Sequence, residues 1–452
     1  MYCETRRERK GKRMGLLTFK GGIHPNDGKS LAKDQPITQI LPKGQLVYPL
    51  SQHIGAPATP VVKKGDRVLK GQVIAEAGGF VSAPVYASVS GIVKGLEQHF
   101  NPAGSKVECI VIENDEEYKE VKYEPVKPLS ELSNDEILTK IGNAGIVGMG
   151  GAGFPTKVKL SPKEPEKIEY IIANCAECEP YITADYRRML ENTEELVSGM
   201  KVILSLFPKA KGVFAVEDNK KDCIEKLSKA TADEPRIEVK ILMTKYPQGA
   251  ERQLIYAVTR RAINSTMLPA DAGCIVDNVE TMIAIHRAVI EGKPLTERIV
   301  TVSGDAVEHP GNFKVLLGTN HRELIEAAGG FKEAPQKLIS GGPMMGFAMV
   351  SLDAPVTKTS SSILAFKEDI VSKAPATACI NCGRCVEVCP SRIIPSRLAD
   401  YAERMDEESF TKLHGLECVE CGSCSYVCPA KRQLKQAIGS MRKIALANKR
   451  KK

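Results

Sequence analysis

No run of about 18 consecutive apolar residues occurs in the chain, which excludes a membrane-spanning helix. The first fourteen residues carry Arg6, Arg7, Arg9, Lys10, Lys12 and Arg13 but no apolar segment, which excludes a secretory signal. Residues 1–14 read as a disordered basic extension, with Met14 as an alternative start. Tryptophan is absent, and aromatic residues amount to 5%. Without export the compartment is reducing, so the 14 cysteines are not expected to pair as disulfides. What remains is ordinary for a protein that buries real cores: 42% hydrophobic and 26% charged residues over 452 positions. That length suggests about three domains. The net charge of +8 gathers at the two ends. Basic ends can bind nucleic acid or anionic lipid. Here they read as solvated ends, with no nucleic-acid partner and at most a weak contact with a membrane surface.

Eight cysteines fall between residues 379 and 428, in two copies of one pattern. Cys379, Cys382 and Cys385 are evenly spaced, and Cys389-Pro390 follows; Cys418, Cys421, Cys424 and Cys428-Pro429 repeat the arrangement. This is the run of two-cluster ferredoxins. Thiolates at i, i+3 and i+6 wrap one face of a cubane from a short loop, and the fourth reaches the other cluster. Two [4Fe-4S] clusters are therefore expected. Cys379, Cys382, Cys385 and Cys428 would hold the first, and Cys418, Cys421, Cys424 and Cys389 the second. Zinc would want paired C-x2-C motifs totalling four ligands, which this spacing does not offer. Cys175-x2-Cys178 is a lone pair, and Cys3, Cys109, Cys223 and Cys274 read as incidental.

The fold class expected is multidomain α/β and α+β. Residues 15–125 carry short apolar runs between Gly and Pro turns. The stretches at 64–75 and 82–93 are similar to the halves of a biotinyl/lipoyl-type β-sandwich. Gly78-Gly79-Phe80 stands where a carrier lysine would be, so no swinging arm is expected. Residues 126–290 alternate strand-length runs (168–173, 213–216, 239–243) with helical spacing (191–206, 279–291), and Ser133 to Glu136 opens a helix with a capping box. That is a Rossmann-like α/β domain. Strand patterns at 298–304 and 338–342 place a small β-grasp-like (SLBB) module over 295–350. A connector is expected over 351–376, the two-cluster domain over 377–432, and a basic helical tail over 433–452.

Gly148-Met149-Gly150-Gly151-Ala152-Gly153 matches G-x-G-x-x-G, but a helical pattern rather than a strand precedes it, so it is not the ordinary dinucleotide turn. Glycines there still let backbone N–H groups approach a phosphate or a flat ring. Downstream, Asn174, Glu177 and Glu179 follow a strand at the edge where open α/β sheets bind ligands.

Together GMGGAGFPTKVKL (148–160) and ANCAECEP (173–180) resemble the FMN- and NADH-binding subunit of respiratory complex I. By that resemblance Gly148, Gly150, Gly151 and Gly153 line a flavin and nicotinamide cleft, and Lys159 meets the FMN phosphate. Asn174 and Glu177 bind the flavin, and Glu179 faces NADH. The turn with Gly249 and Glu251 and the segment with Asp277, Asn278 and Thr281 also match. Ala176 and Ala250 depart from that family's acidic residues. Gly21-Gly22-Ile23-His24-Pro25, Gln52-His53-Ile54-Gly55-Ala56-Pro57 and the order of domains are similar to the RnfC subunit of Rnf ion-translocating oxidoreductases, over residues 15–440. His24 and His53 read as turn or core residues.

That resemblance implies the NAD(H)-reacting subunit of a membrane complex that couples electron transfer between ferredoxin and NAD to ion translocation. Its cofactors would be FMN and two [4Fe-4S] clusters, with NAD(H) as substrate. Its partners would be integral flavin subunits and an iron–sulfur subunit, with the protein peripheral at the cytoplasmic face. A flavin belongs between a hydride donor and one-electron clusters, and hydride transfer to it requires no general base from the protein. The same residues serve either direction of electron flow. Two other readings compete: a soluble flavin/iron–sulfur reductase resembling cobalamin reductase, and a non-enzymatic electron wire.

Overall fold

A computed structural model describes residues 16–451. The basic extension expected over 1–14 lies outside the described residues. The centre is a four-stranded parallel sheet ordered Ile237–Leu242, Lys211–Glu217, Tyr170–Cys175, Cys274–Asn278. Its inner strands are apolar almost throughout (YIIANC, KGVFAVE), because helices cover both faces. The chain steps outward twice from Tyr170–Cys175 and then returns to its other side with Cys274–Asn278. The order reverses there, so a crevice opens beyond the carboxyl ends of these two strands. Asn174 and Asn278 face each other in register across it.

The helix Asn134–Asn143 starts as its sequence dictates. Glu136 N donates to Ser133 Oγ at 3.2 Å, and Ser133 N donates to Glu136 Oε2 at 2.8 Å. The helical stretch expected over 191–206 is the helix Thr193–Leu206, and Asn192 divides it from a separate helix before it, Ala184–Glu191. The Asn192 side chain is held by Arg188 and Glu195, which favours a non-helical backbone at that position.

A six-stranded mixed sheet follows, ordered Ile37–Gln39, Gly311–Leu316, Glu297–Ser303, Ser362–Phe366, Lys337–Ser340, Phe347–Ala348. Two of its strands come from segments with other expectations. Ser362–Phe366, inside the expected connector, is an inner strand with four of its five residues buried. Its SILAF run is short and its Ser, Thr and Lys neighbours hide it. Ile37–Gln39, inside the expected β-rich segment, pairs parallel with Gly311–Leu316 instead.

The sandwich is built from Gln45–Pro49, Arg67–Val68, Gly91–Phe100 and Lys106–Asn114 in one sheet and Thr59–Pro60, Val73–Glu76 and Val85–Tyr86 in the other. Leu46, Tyr48, Ile74, Ile110 and Ile112 fill it. The cysteine domain pairs two short helices, Arg384–Glu387 and Ser423–Tyr426, with two longer ones, Pro395–Glu403 and Leu434–Lys451. The last of these is no free tail, for Leu434, Ile438 and Met441 bury against Leu398, Ala399 and Ala402.

Residues 16–36 form a strap rather than a strand of the sandwich. Ile23 and Tyr246 exchange backbone hydrogen bonds of 2.8 and 2.9 Å, and Gly22 N donates to Val388 O at 2.8 Å. Phe19 and Ile23 are buried, a contribution of about 1.5–3 kcal/mol each. Among the described residues no helix is long and apolar enough to cross a membrane.

Candidate functional site

The glycine loop closes on itself, with Gly148 N donating to Phe154 O at 2.8 Å. Met149 N donates to Thr281 Oγ1 at 3.0 Å, which pins the loop to the helix Val279–Ile290. A Cβ on Gly150 would stand 2.8 Å from Asn278 Cβ, so only glycine fits that approach. Gly151, in contrast, borders open space. The loop therefore offers bare backbone toward the crevice while its other side is packed.

Across the crevice Asn174 Nδ2 donates to Gly249 O at 2.8 Å, and Gly249 N donates to Cys178 Sγ at 3.3 Å. Lys159 lies beneath the loop. It donates to Val276 O at 2.8 Å and to Asp277 Oδ1 at 2.9 Å. Burial opposes its charge, but the carboxylates of Asp277 and Glu251 more than offset this and raise its pKa. Glu251 is itself pushed up by burial, with Lys159 acting against the rise. Asp277 keeps one buried oxygen, Oδ2, without a hydrogen-bond partner. The lysine expected at a phosphate is thus held by acidic neighbours under the loop, close to Gly148.

The two glutamates have protein partners. Glu177, at φ 47°, turns back so that Oε1 accepts from Asp185 N at 2.7 Å at the start of the helix Ala184–Glu191. Lys29, from the strap, approaches its Oε2 at 3.8 Å. Glu179, expected to face NADH, accepts from Met344 N (3.1 Å) and Met345 N (2.9 Å) of the six-stranded module. Burial pushes each of these carboxyls up to about 7.

Below the cleft the second cysteine run forms a cage. Cys389, Cys418, Cys421 and Cys424 line one hollow with Pro390 and Gly422. Burial raises all four thiols, Cys418 to about 12, and the cysteines of the cage repel one another's charge. An iron–sulfur core would take these thiols as thiolates, its positive charge offsetting that cost of deprotonation. Cys389, of the first run, stands there beside three cysteines of the second. In the first run, Cys379 and Cys382 are exposed and Cys385 is buried; Cys428 is half-buried.

Cleft and cage share a wall. Tyr246, 1% exposed, donates its hydroxyl to Cys421 O at 2.6 Å. Cys178, Ile23, Met344 and Val419 pack around that contact.

Sequence reasoning missed two lysines that tie distant segments together around the cleft. Lys29 donates to Glu179 O at 3.0 Å and also to Ile182 O. Lys358 is fully buried and donates to Pro84 O (2.6 Å) and Gly145 O (2.7 Å), joining the sandwich to the segment entering the glycine loop. Burial pushes Lys358 down to about 7. The signal was present in the GGIHP and QHIGAP segments. A Cβ on Gly21 would meet Cys389 O at 2.9 Å, and Ile54 N donates to Gly153 O at 3.3 Å. His53 Nε2 lies 3.1 Å from Ala83 N, in keeping with a packing role.

Comparison with known proteins agrees with this division. Family models match as the RnfC barrel sandwich hybrid domain (17–117), the Nuo51 FMN-binding domain (141–287), the SLBB domain (299–348) and a 4Fe-4S dicluster domain (378–431). The C-subunit of the proton-translocating ferredoxin:NAD(+) oxidoreductase complex of Clostridium ljungdahlii is 47% identical over 85% of this chain and 84% of its own length. The Na(+)-translocating counterpart of Acetobacterium woodii is 44% identical over 96% of this chain and 98% of its own. The C-subunit of the ion-translocating oxidoreductase complex of Vibrio cholerae is 38% identical over 89% of this chain and 52% of its own. A solved NAD+-reducing [NiFe]-hydrogenase matches in fold, with a TM-score of 0.50 at 18% identity over 71% of this chain and 62% of that chain.

Proposed function

The chain belongs to the C-subunit family of ion-translocating ferredoxin:NAD(+) oxidoreductase complexes, and from that premise we propose that it is the NAD(H)-reacting, electron-transferring subunit of such a complex. FMN bound in the crevice supplies the exchange between hydride and single electrons. Gly148, Gly150, Gly151 and Gly153 give the backbone approach to it. Asn174, held by Gly249 O, presents its amide at the carboxyl edge of the sheet. Lys159 brings positive charge beneath the loop, kept by Asp277 and Glu251. Cys389, Cys418, Cys421 and Cys424 hold one [4Fe-4S] cluster, and Cys379, Cys382, Cys385 and Cys428 the other. Integral flavin subunits and an iron–sulfur subunit are the partners, at the cytoplasmic face, and the ion path lies in them.

One observation carries this reading: Gly249 donates to Cys178 on the cleft side, and Tyr246 donates to the Cys421 carbonyl on the cage side of one apolar wall. A two-electron site and a one-electron site thus lie back to back. An electron wire without a flavin leaves the bare glycine loop without a use. The soluble cobalamin-reductase alternative is not supported, since the C-subunit relatives match through nearly the whole chain, sandwich included. The test is anaerobic purification with FMN, iron and sulfide assayed together, then titration with NADH followed by optical and EPR spectra. About one FMN and eight irons per chain, bleached by NADH, is the expected result. Iron without FMN and without NADH-driven bleaching would leave only the wire.

A further inference from the structure

A hydride carries two electrons and a proton, whereas an iron–sulfur cluster takes one electron and no proton. When NADH becomes NAD+, H+ and two electrons, and the electrons leave through the cysteine cages, one proton must leave the cleft by another route. In the opposite direction one must arrive. Resting on the function proposed above, we propose that Asp185, Glu177 and Glu217, bridged by Lys29 and Lys220, are the proton port of the cleft.

The groups form one electrostatically connected cluster, in which Lys29 senses Glu177, Lys220 and Glu217, and Glu177 senses Asp185 and Lys220. Asp185 is at the cleft end, where its Oδ2 accepts from Asn278 Nδ2 at 2.6 Å and Asn278 abuts Gly150 of the loop. Glu177 follows, accepting from Asp185 N. Lys29 lies 3.8 Å from Glu177, with side chains 9% and 4% exposed respectively. Lys220 donates to Glu217 Oε2 at 2.7 Å and to Ala176 O at 2.6 Å, and reaches the exposed Asn219 at 3.3 Å. Glu217 Oε1 is buried with no hydrogen-bond partner, an acceptor left for relay. The departure at Ala176 belongs here: its carbonyl receives Lys220, and the acidic groups lie around it instead of on it.

Electrostatics suit the role. Burial lifts Glu177 to about 7, with Lys29 and Lys220 pulling down and Asp185 pushing up. Burial and Glu280 lift Asp185 to about 6, against the Asn278 hydrogen bond, Arg298 and Lys29. Groups that titrate near neutrality pass protons both ways. Hydride transfer itself still needs no base. The port serves the separation of proton from electrons that follows it.

The test uses the full-length holoprotein, mixed anaerobically with NADH in weak buffer containing a pH indicator. In the wild type, one proton per NADH should appear in step with bleaching of the clusters. Glu177→Gln keeps the hydrogen-bond acceptor at the helix start, and Asp185→Asn keeps the contact to Asn278. In both, with FMN and iron at wild-type content, proton release and cluster bleaching should slow together by about a hundredfold, the range of general acid–base effects. Their pH profiles should lose the inflection near neutrality. Wild-type rates and profiles in both variants would overturn the port, and so would FMN loss in both, which would assign the carboxyls to cofactor binding. A wild type that holds no FMN would instead fail the underlying function.

Discussion

The two cysteine runs are copies in backbone as well as in spacing, yet they sit in different surroundings. Asn381 and Glu420 share left-handed φ values of 55° and 54°, Gly383 and Gly422 of 75° and 80°, and Arg392 and Lys431 of 56° and 54°. Each run passes into one turn of helix, Arg384–Glu387 or Ser423–Tyr426. In the first run, Ile380 is 66% exposed beside exposed Cys379 and Cys382. The equivalent Val419 packs with Tyr246 and Ile23, next to buried Cys421. Spacing is alike in the two runs, so tertiary packing decides which run borders the cleft and which opens outward. The strap supplies much of that difference, since it lies between Cys389 and Tyr246.

The largest expected effect breaks this comparison directly. Cys421→Ser and Cys379→Ser should each lower iron by about half, the share of one of two clusters. With Cys421→Ser, NADH should no longer bleach the remaining cluster. With Cys379→Ser, it still should. If EPR finds the two variants alike under NADH, the runs are not inner and outer. A smaller effect is expected from Tyr246→Phe. It removes the donor to the buried Cys421 carbonyl, a cost of about 1–3 kcal/mol. Iron should then leave the second-run cage faster under a chelator, while the signal of the first-run cluster decays as in the wild type. Equal acceleration of both would mean that the hydroxyl supports the whole domain and not one cage.

Local rules carried the sequence reading a long way. The Ser133 capping box, the parallel strands and both cysteine runs depend on residues close in sequence, and each appears where its pattern lies, with strand ends shifted by a residue or two. What local rules cannot hold is distance along the chain. Lys29 looks like a solvated loop lysine until it meets Glu177 and Glu179. Glu179 keeps its place after the strand, but its partners are amides of Met344 and Met345 in another domain. Ser362–Phe366 is too short to announce itself and becomes a strand because an inner place in the sheet awaits it. GGIHP and QHIGAP were readable as motifs. Their use, to let the strap and the sandwich press against Cys389 and Gly153, lies in contacts that no window of sequence contains.

The smallest expected effect sharpens the comparison at one matched position. Glu420, within the second run, accepts from Arg442 of the terminal helix at 3.0 Å, with both side chains 26% exposed. Asn381, its counterpart, is neutral and cannot form such a pair. Partly exposed ion pairs contribute about 0–1 kcal/mol and weaken as salt screens them. Arg442→Ala should therefore speed iron loss from the second-run cage slightly in dilute buffer. In about 1 M salt, where the screening length falls to about 3 Å, the difference from wild type should shrink toward nothing. The Tyr246→Phe effect should survive the same salt, because a buried neutral hydrogen bond has no screening cloud to enter. A salt-sensitive Tyr246→Phe, or an Arg442→Ala loss as large as that of Tyr246→Phe, would place the protection of the second run at its charged rim and not in the wall it shares with the cleft.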